Sequence, residues 1–158
     1  MSDHPPRVEV VSQAGIDERA FREGVERLLP HLLSPTGAPV TLERASVRIV
    51  KDPEMSRLHE RHSKITGTTD VLTFVWVAPP APIEVDIAIC IDEASRRAAE
   101  FGHDCERELL LYALHGLLHA AGFRDDDDAS HAQIHAEEDR ILKAAGIGAV
   151  YDPERPSP

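Results

Sequence analysis

The stretch His115-Gly-Leu-Leu-His119-Ala-Ala-Gly122-Phe-Arg-Asp125 decides how this chain reads. Residues four apart on a helix stand one above the other on a single face, so His115 and His119 can present two imidazoles to one ion. Gly122 takes the left-handed conformation that ends a helix at little cost and lets the chain turn back. Asp125, three residues on, then completes an open tripod of His115, His119 and Asp125, and three protein ligands plus a water is the usual arrangement of catalytic zinc. Leu109, Leu110, Leu111, Ala113, Leu114, Leu117, Leu118, Ala120 and Ala121 make this helix apolar nearly all round, which predicts that it lies in the core. Imidazoles there need partners. A metal ion is the leading expectation, with hydrogen-bonded core histidines as the alternative.

Two neighbouring features bear on the same site. The run from Asp125 to Asp128 leaves the register of the third ligand open to Asp126, Asp127 or Asp128, and most of it reads as a solvated loop that caps the following helix. His131 and His135 repeat the i,i+4 spacing, but within a polar stretch, and are expected on a solvated helix face. Gly116 stands where His-Glu-x-x-His peptidases carry their general base, so no carboxylate follows the first histidine. The outline His-x3-His-x2-Gly-x2 is that of the metzincins, with Asp125 in the place of their last histidine.

This segment resembles the signature of the YbeY family of bacterial endoribonucleases and rRNA maturation factors, His-Gly-x-Leu-His-Leu-x-Gly-Tyr-Asp-His. Other landmarks fall in the same order. Thr69-Asp70-Val71-Leu72-Thr73-Phe74 is similar to the family's Thr-Asp-Val-Leu-Ser-Phe, Val85-Asp86-Ile87 to its Gly-Asp-Ile, and Glu108-Leu109 to its Glu-Leu. Glu137 or Glu138 with Ile141-Leu142 and Gly146 resembles the closing helix, so the match runs over residues 40 to 147. The resemblance implies an α+β metallohydrolase fold, one divalent ion (zinc), and endonuclease action on single-stranded RNA in 16S rRNA maturation and ribosome quality control. It implies rRNA or a ribosomal subunit, with ribosome-associated proteins, as partners. Two departures stand out. Asp125 replaces the family's final histidine, and Ser63 occupies the slot of an arginine that acts on the RNA backbone, with Arg61 and Lys64 close by as substitutes. Arg61 and Asp70 are the candidate catalytic residues beside the metal set. The rival functions are a non-catalytic, metal-stabilised ribosome-assembly module and a metallohydrolase of another substrate.

Composition constrains rather than decides. With 158 residues the chain is long enough for one domain, expected over 1–150 with a flexible tail at 151–158. No run reaches the length of a membrane span, and Met1-Ser-Asp-His-Pro-Pro6 lacks a basic start and apolar core, so a cytoplasmic protein with reduced Cys90 and Cys105 is expected. A net charge of −11 opposes a phosphate backbone, so RNA binding needs a local basic patch or a basic partner protein. Arg44, Arg48, Lys51, Arg57, Arg61 and Lys64 are the candidates for such a patch.

Periodicity supplies the elements. Arg7 to Ser12 alternates as an edge strand, Asp17 to Leu33 carries a helical stripe, and Val40 to Val50 alternates again. A helix is expected from Pro53 to Ser63, strands over Asp70–Val77 and Ile83–Ile91, and a helix capped by Asp92. Asp104 is expected to cap the histidine-bearing helix, and Ser130 or a nearby aspartate the last one, which ends at Gly146. Together these predict an α+β domain with a small mixed sheet packed against a central helix. Asp86 reads as a carboxylate in apolar company, either orienting a histidine or capping backbone.

Overall fold

The computed structural model describes residues 4–63 and 67–148. Among them, Arg7–Ser12 (β1), Leu42–Val50 (β2), Val71–Val77 (β3) and Ile83–Cys90 (β4) form one sheet in the order β1-β2-β4-β3. β1 and β4 run parallel to β2 on either side of it, and β3 lies antiparallel to β4 at the edge. The helices are Glu18–Leu28 (α1), Asp52–Ser63 (α2), Ile91–Phe101 (α3), Cys105–Ala120 (α4) and Asp128–Ala144 (α5). This is the expected α+β arrangement, with the histidine helix α4 at its centre.

Strand alternation explains why α4 sits where it does. Ile83, Val85, Ile87 and Ile89 point to one face of β4 and join Leu109, Leu114, Leu117 and Leu118 of α4 in the main core. The intervening Ala88 and Cys90 point the other way, into a smaller cluster with Met55 of α2 and Leu72 of β3. Cys90 is thus the small core residue its apolar run suggests. α4 is apolar on all sides because it is covered by the sheet, α1, α3 and α5.

Gly116 marks the closest approach of helix and sheet. A Cβ there would lie 3.0 Å from Thr73 Oγ1 and 3.0 Å from both Cδ1 and Cγ2 of Ile87. The residue after the first histidine therefore faces the sheet, and a glutamate side chain has no room at this position.

The structure moves several expected boundaries. α1 stops at Leu28 and a 3-10 turn over Leu29–His31 follows, because Pro30 has no N–H to continue the α-helical ladder. α3 begins at Ile91, with Cys90 in the capping position, and Asp92 instead accepts a 2.7 Å hydrogen bond from the Asp52 amide. Asp104 and Asp127 cap α4 and α5 as their positions suggest, Asp127 together with Ser130 in a reciprocal capping box. Lys64 and the segment 151–158 lie outside the described residues.

Candidate metal centre

α4 ends as its glycine demands. Gly122 has φ +113°, the Phe123 amide donates to the Leu118 carbonyl at 3.0 Å, and the chain folds back over the last turn. The reversal brings the Phe123 carbonyl to His119 and carries Asp125 toward His115.

The hydrogen bonds fix both imidazoles. A carbonyl only accepts, so the 3.1 Å contact from His119 Nδ1 to the Phe123 oxygen is made by Nδ1–H. His115 Nδ1 lies 2.9 Å from Oε1 of Glu138, a carboxylate with no exposed surface on α5, and donates to it likewise. In both rings Nε2 is then the atom with the free lone pair, and the two Nε2 atoms are 2.9 Å apart. Two such nitrogens need a positive centre between them, either a shared proton or a metal ion. Asp125 Oδ2 lies 3.5 Å from His115 Nε2. These separations are close to the roughly 3.3 Å edge of a tetrahedral zinc site with ~2.0–2.1 Å bonds. One donor atom from each of His115, His119 and Asp125 falls within a 4.8 Å group, so the set fits a divalent ion.

Electrostatics separate the roles. Burial opposes charge on His115, but the Glu138 hydrogen bond, with help from Asp70 and Asp125, more than offsets it and raises the His115 pKa. Burial and the neighbouring His115 lower that of His119. Glu138 would be pushed up by burial, yet its bonds from His115 and His135 hold it below the usual carboxylate range, so it stays ionised. Asp70 behaves in the opposite sense. It is 7% exposed, its Oδ1 accepts from the Val71 amide at 2.7 Å, and its Oδ2 has no hydrogen-bond partner. Burial raises its pKa.

Asp70, Thr69, Thr73, His115 and His119 line a cavity of about 410 Å³ between the edge strand β3 and α4. The structure thus brings together four of the five expected site residues: the His115, His119 and Asp125 donors, and Asp70 beside them. Arg61 stands apart, exposed on the last turn of α2 and outside the cavity lining. The expected basic patch is largely tied to carboxylates. Arg44 pairs with Asp86 at 2.8 Å, Arg48 reaches Glu54 at 3.5 Å, and Arg57 also pairs with Glu54. Asp86 therefore neither orients a histidine nor caps backbone. It faces away from α4 and binds Arg44 and Trp76 Nε1, each at 2.8 Å.

The largest correction concerns α5. His135 is 4% exposed, not solvated, and His131 is half-buried. His131 Nδ1 lies 2.7 Å from Asp125 Oδ1, and His135 Nδ1 lies 3.0 Å from Glu138 Oε1. Both carboxylates that serve the α4 histidines also serve the α5 pair. A signal for this exists in the sequence: Ile134, His135, Glu138, Ile141 and Leu142 share one helical stripe, and all are buried.

Comparisons with known proteins point to one family. Residues 8–146 match the family model described as endoribonuclease YbeY. Among curated relatives, the endoribonuclease YbeY of Gloeobacter violaceus is 32% identical over 94% of this chain and 79% of its own length. That of Macrococcus caseolyticus is 32% identical over 85% of this chain and 91% of its own. The solution structure of a Thermotoga maritima protein superposes with a TM-score of 0.57 over 94% of this chain and 99% of that one, at 21% identity, and supports the fold. On the match over residues 8–146 and these relatives, the chain belongs to the endoribonuclease YbeY family.

Proposed function

We propose that this chain is a metal-dependent endoribonuclease that cleaves single-stranded RNA in 16S rRNA maturation and ribosome quality control, in the cytoplasm. One observation carries the chemical part: two imidazoles with engaged Nδ1 atoms bring their Nε2 atoms within 2.9 Å of one another, beside a cavity lined by a buried carboxyl with one unpartnered oxygen. His115, His119 and Asp125 would hold the ion, zinc being suited to two imidazoles and a carboxylate. A zinc ion bound there supplies Lewis acidity toward the phosphodiester and toward an attacking water.

The chain's own groups do the rest. Glu138 and the Phe123 carbonyl keep both rings in the Nδ1–H tautomer, so the donor geometry is set before an ion arrives. Asp70 lines the cavity and holds its proton to higher pH than an ordinary carboxyl, which suits proton exchange with the attacking or leaving oxygen. Thr69 and Thr73 offer hydroxyls along the cavity wall. Arg61, with no ion pair among the described residues, contacts phosphate outside the cavity in place of the arginine that Ser63 replaces. With a net charge of −11, delivery of rRNA falls to the ribosomal subunit or a basic protein associated with it.

The binding-module reading keeps one observation in its favour, the neutralisation of Arg44, Arg48 and Arg57 by Asp86 and Glu54. A single-turnover assay on a structured rRNA fragment separates the readings. Metal-dependent cleavage by the parent, abolished in His115→Ala and weakened in Arg61→Ala, supports the nuclease. Tight RNA binding without cleavage supports the module. Peptide hydrolysis is expected to be undetectable, since the wall of Thr73 and Ile87 leaves no place for a glutamate base at 116.

A further inference from the structure

The two histidine pairs face each other across the α4–α5 contact with a carboxylate at each end. Below them, Glu138 accepts from His115 Nδ1 through Oε1 at 2.9 Å and from His135 Nδ1 through Oε2 at 3.3 Å. The two rings hung on it are nearly parallel, 27° apart with centroids 5.9 Å from one another. Above them, Asp125 divides its oxygens: Oδ2 lies 3.5 Å from His115 Nε2 and Oδ1 lies 2.7 Å from His131 Nδ1. One donor atom each from Asp125, His131 and His135 falls within a second 4.8 Å group.

We propose that His131, His135 and Asp125 form a second divalent-cation site, with Asp125 as the carboxylate bridge between it and the His115–His119 site. This rests on the reading of the first site as a metal site. Two arguments favour it over a single ion with His131 as a bystander. A carboxylate with one oxygen toward each imidazole pair has the disposition of a bridging ligand. Glu138 orients His135 by the same contact it uses for His115, and such a contact on a ring nitrogen is what a ligand histidine requires. Aspartate in place of a third histidine is what makes sharing possible, because an imidazole cannot offer two oxygens to two ions.

The test is the metal content of purified protein equilibrated with excess Mn2+ and then freed of unbound ion, read by elemental analysis and by electron paramagnetic resonance. The parent, His131→Ala and His119→Ala are compared, with circular dichroism confirming that each is folded. Two ions per parent chain with the spectrum of a coupled pair, falling to one uncoupled ion in either variant, is the expected result. One ion in the parent, retained in His131→Ala and lost in His119→Ala, overturns the second site and leaves the first intact. One ion retained in His119→Ala but lost in His131→Ala overturns the bridged pair and the reading of the first site with it. Should His131→Ala not fold, His131→Gln and Asp125→Asn provide the same comparison, and a persisting coupled pair in either overturns the proposal.

Discussion

His115–His119 and His131–His135 have the same spacing and opposite surroundings, and the structure gives them nearly the same fate. The first pair lies on a helix apolar all round, where the buried position is plain from the sequence. The second lies on a helix whose residues are mostly polar, yet one narrow stripe of Ile134, His135, Glu138, Ile141 and Leu142 is buried. Average polarity describes the whole circumference of a helix, whereas burial depends on the stripe that meets a neighbour. What the pairs share is not composition but a pair of carboxylates, Glu138 and Asp125, placed between two helices.

The sharpest way to break that comparison is to remove Glu138. Glu138→Ala leaves the Nδ1–H groups of His115 and His135 without their acceptor, and truncating one member of a buried ionic cluster costs about 3–5 kcal/mol. Urea unfolding should show that loss, and Glu138→Gln should recover part of it. Metal affinity should fall by roughly 10–100-fold in folded Glu138→Gln. Unchanged stability and affinity in both variants would mean that the two pairs are not held by a common group.

A second variant separates chemistry from metal holding. Asp70→Asn keeps an oxygen for the Val71 amide, so the fold and the metal content should persist. Single-turnover RNA cleavage should drop by about 100-fold or more, the ordinary range for a lost proton-transfer group. Loss of metal along with activity would instead make Asp70 a ligand.

The third ligand comes next. Asp125→Ala should weaken metal binding at the His115–His119 site at least ~10-fold, while Asp125→His should keep an ion there because imidazole is an equally good zinc ligand. Isothermal titration with zinc checks both, and a register one residue later would show itself as a larger effect from Asp126→Ala. The smallest expected effect is at the helix–sheet contact. Gly116→Ala gains about 1 kcal/mol of helix propensity but must push Ile87 and Thr73 aside, at about 1–3 kcal/mol. A net loss of about 1 kcal/mol by denaturant titration is expected.

These comparisons also show what was legible in the sequence. Strand alternation in β1 and β2, the cap Asp104, an aspartate cap beside Ser130 and the Gly122 stop follow from local chemistry, and the structure keeps them. The His115–His119–Asp125 grouping was legible because helix geometry and one turn bring it together within eleven residues of chain. Glu138 and His135 are legible only as members of a buried stripe, since they reach the site through the packing of α5 on α4, which no short-range pattern encodes. The roles offered for Asp86 failed for a related reason: its partners, Arg44 on β2 and Trp76 on β3, depend on strand order. The reading of Arg44 and Arg48 as a basic patch ignored the carboxylates that the same fold sets beside them.

The most direct test of the central claim is a metal add-back experiment on RNA cleavage. Protein stripped with a chelator, and shown by circular dichroism to remain folded, is supplied with increasing zinc while cleavage of a single-stranded rRNA fragment is followed in single turnover. The account predicts no cleavage by the stripped protein, recovery as ion is restored, and no recovery at any zinc concentration in His115→Ala. Cleavage by the stripped, folded parent at the rate of the metal-loaded protein would contradict it.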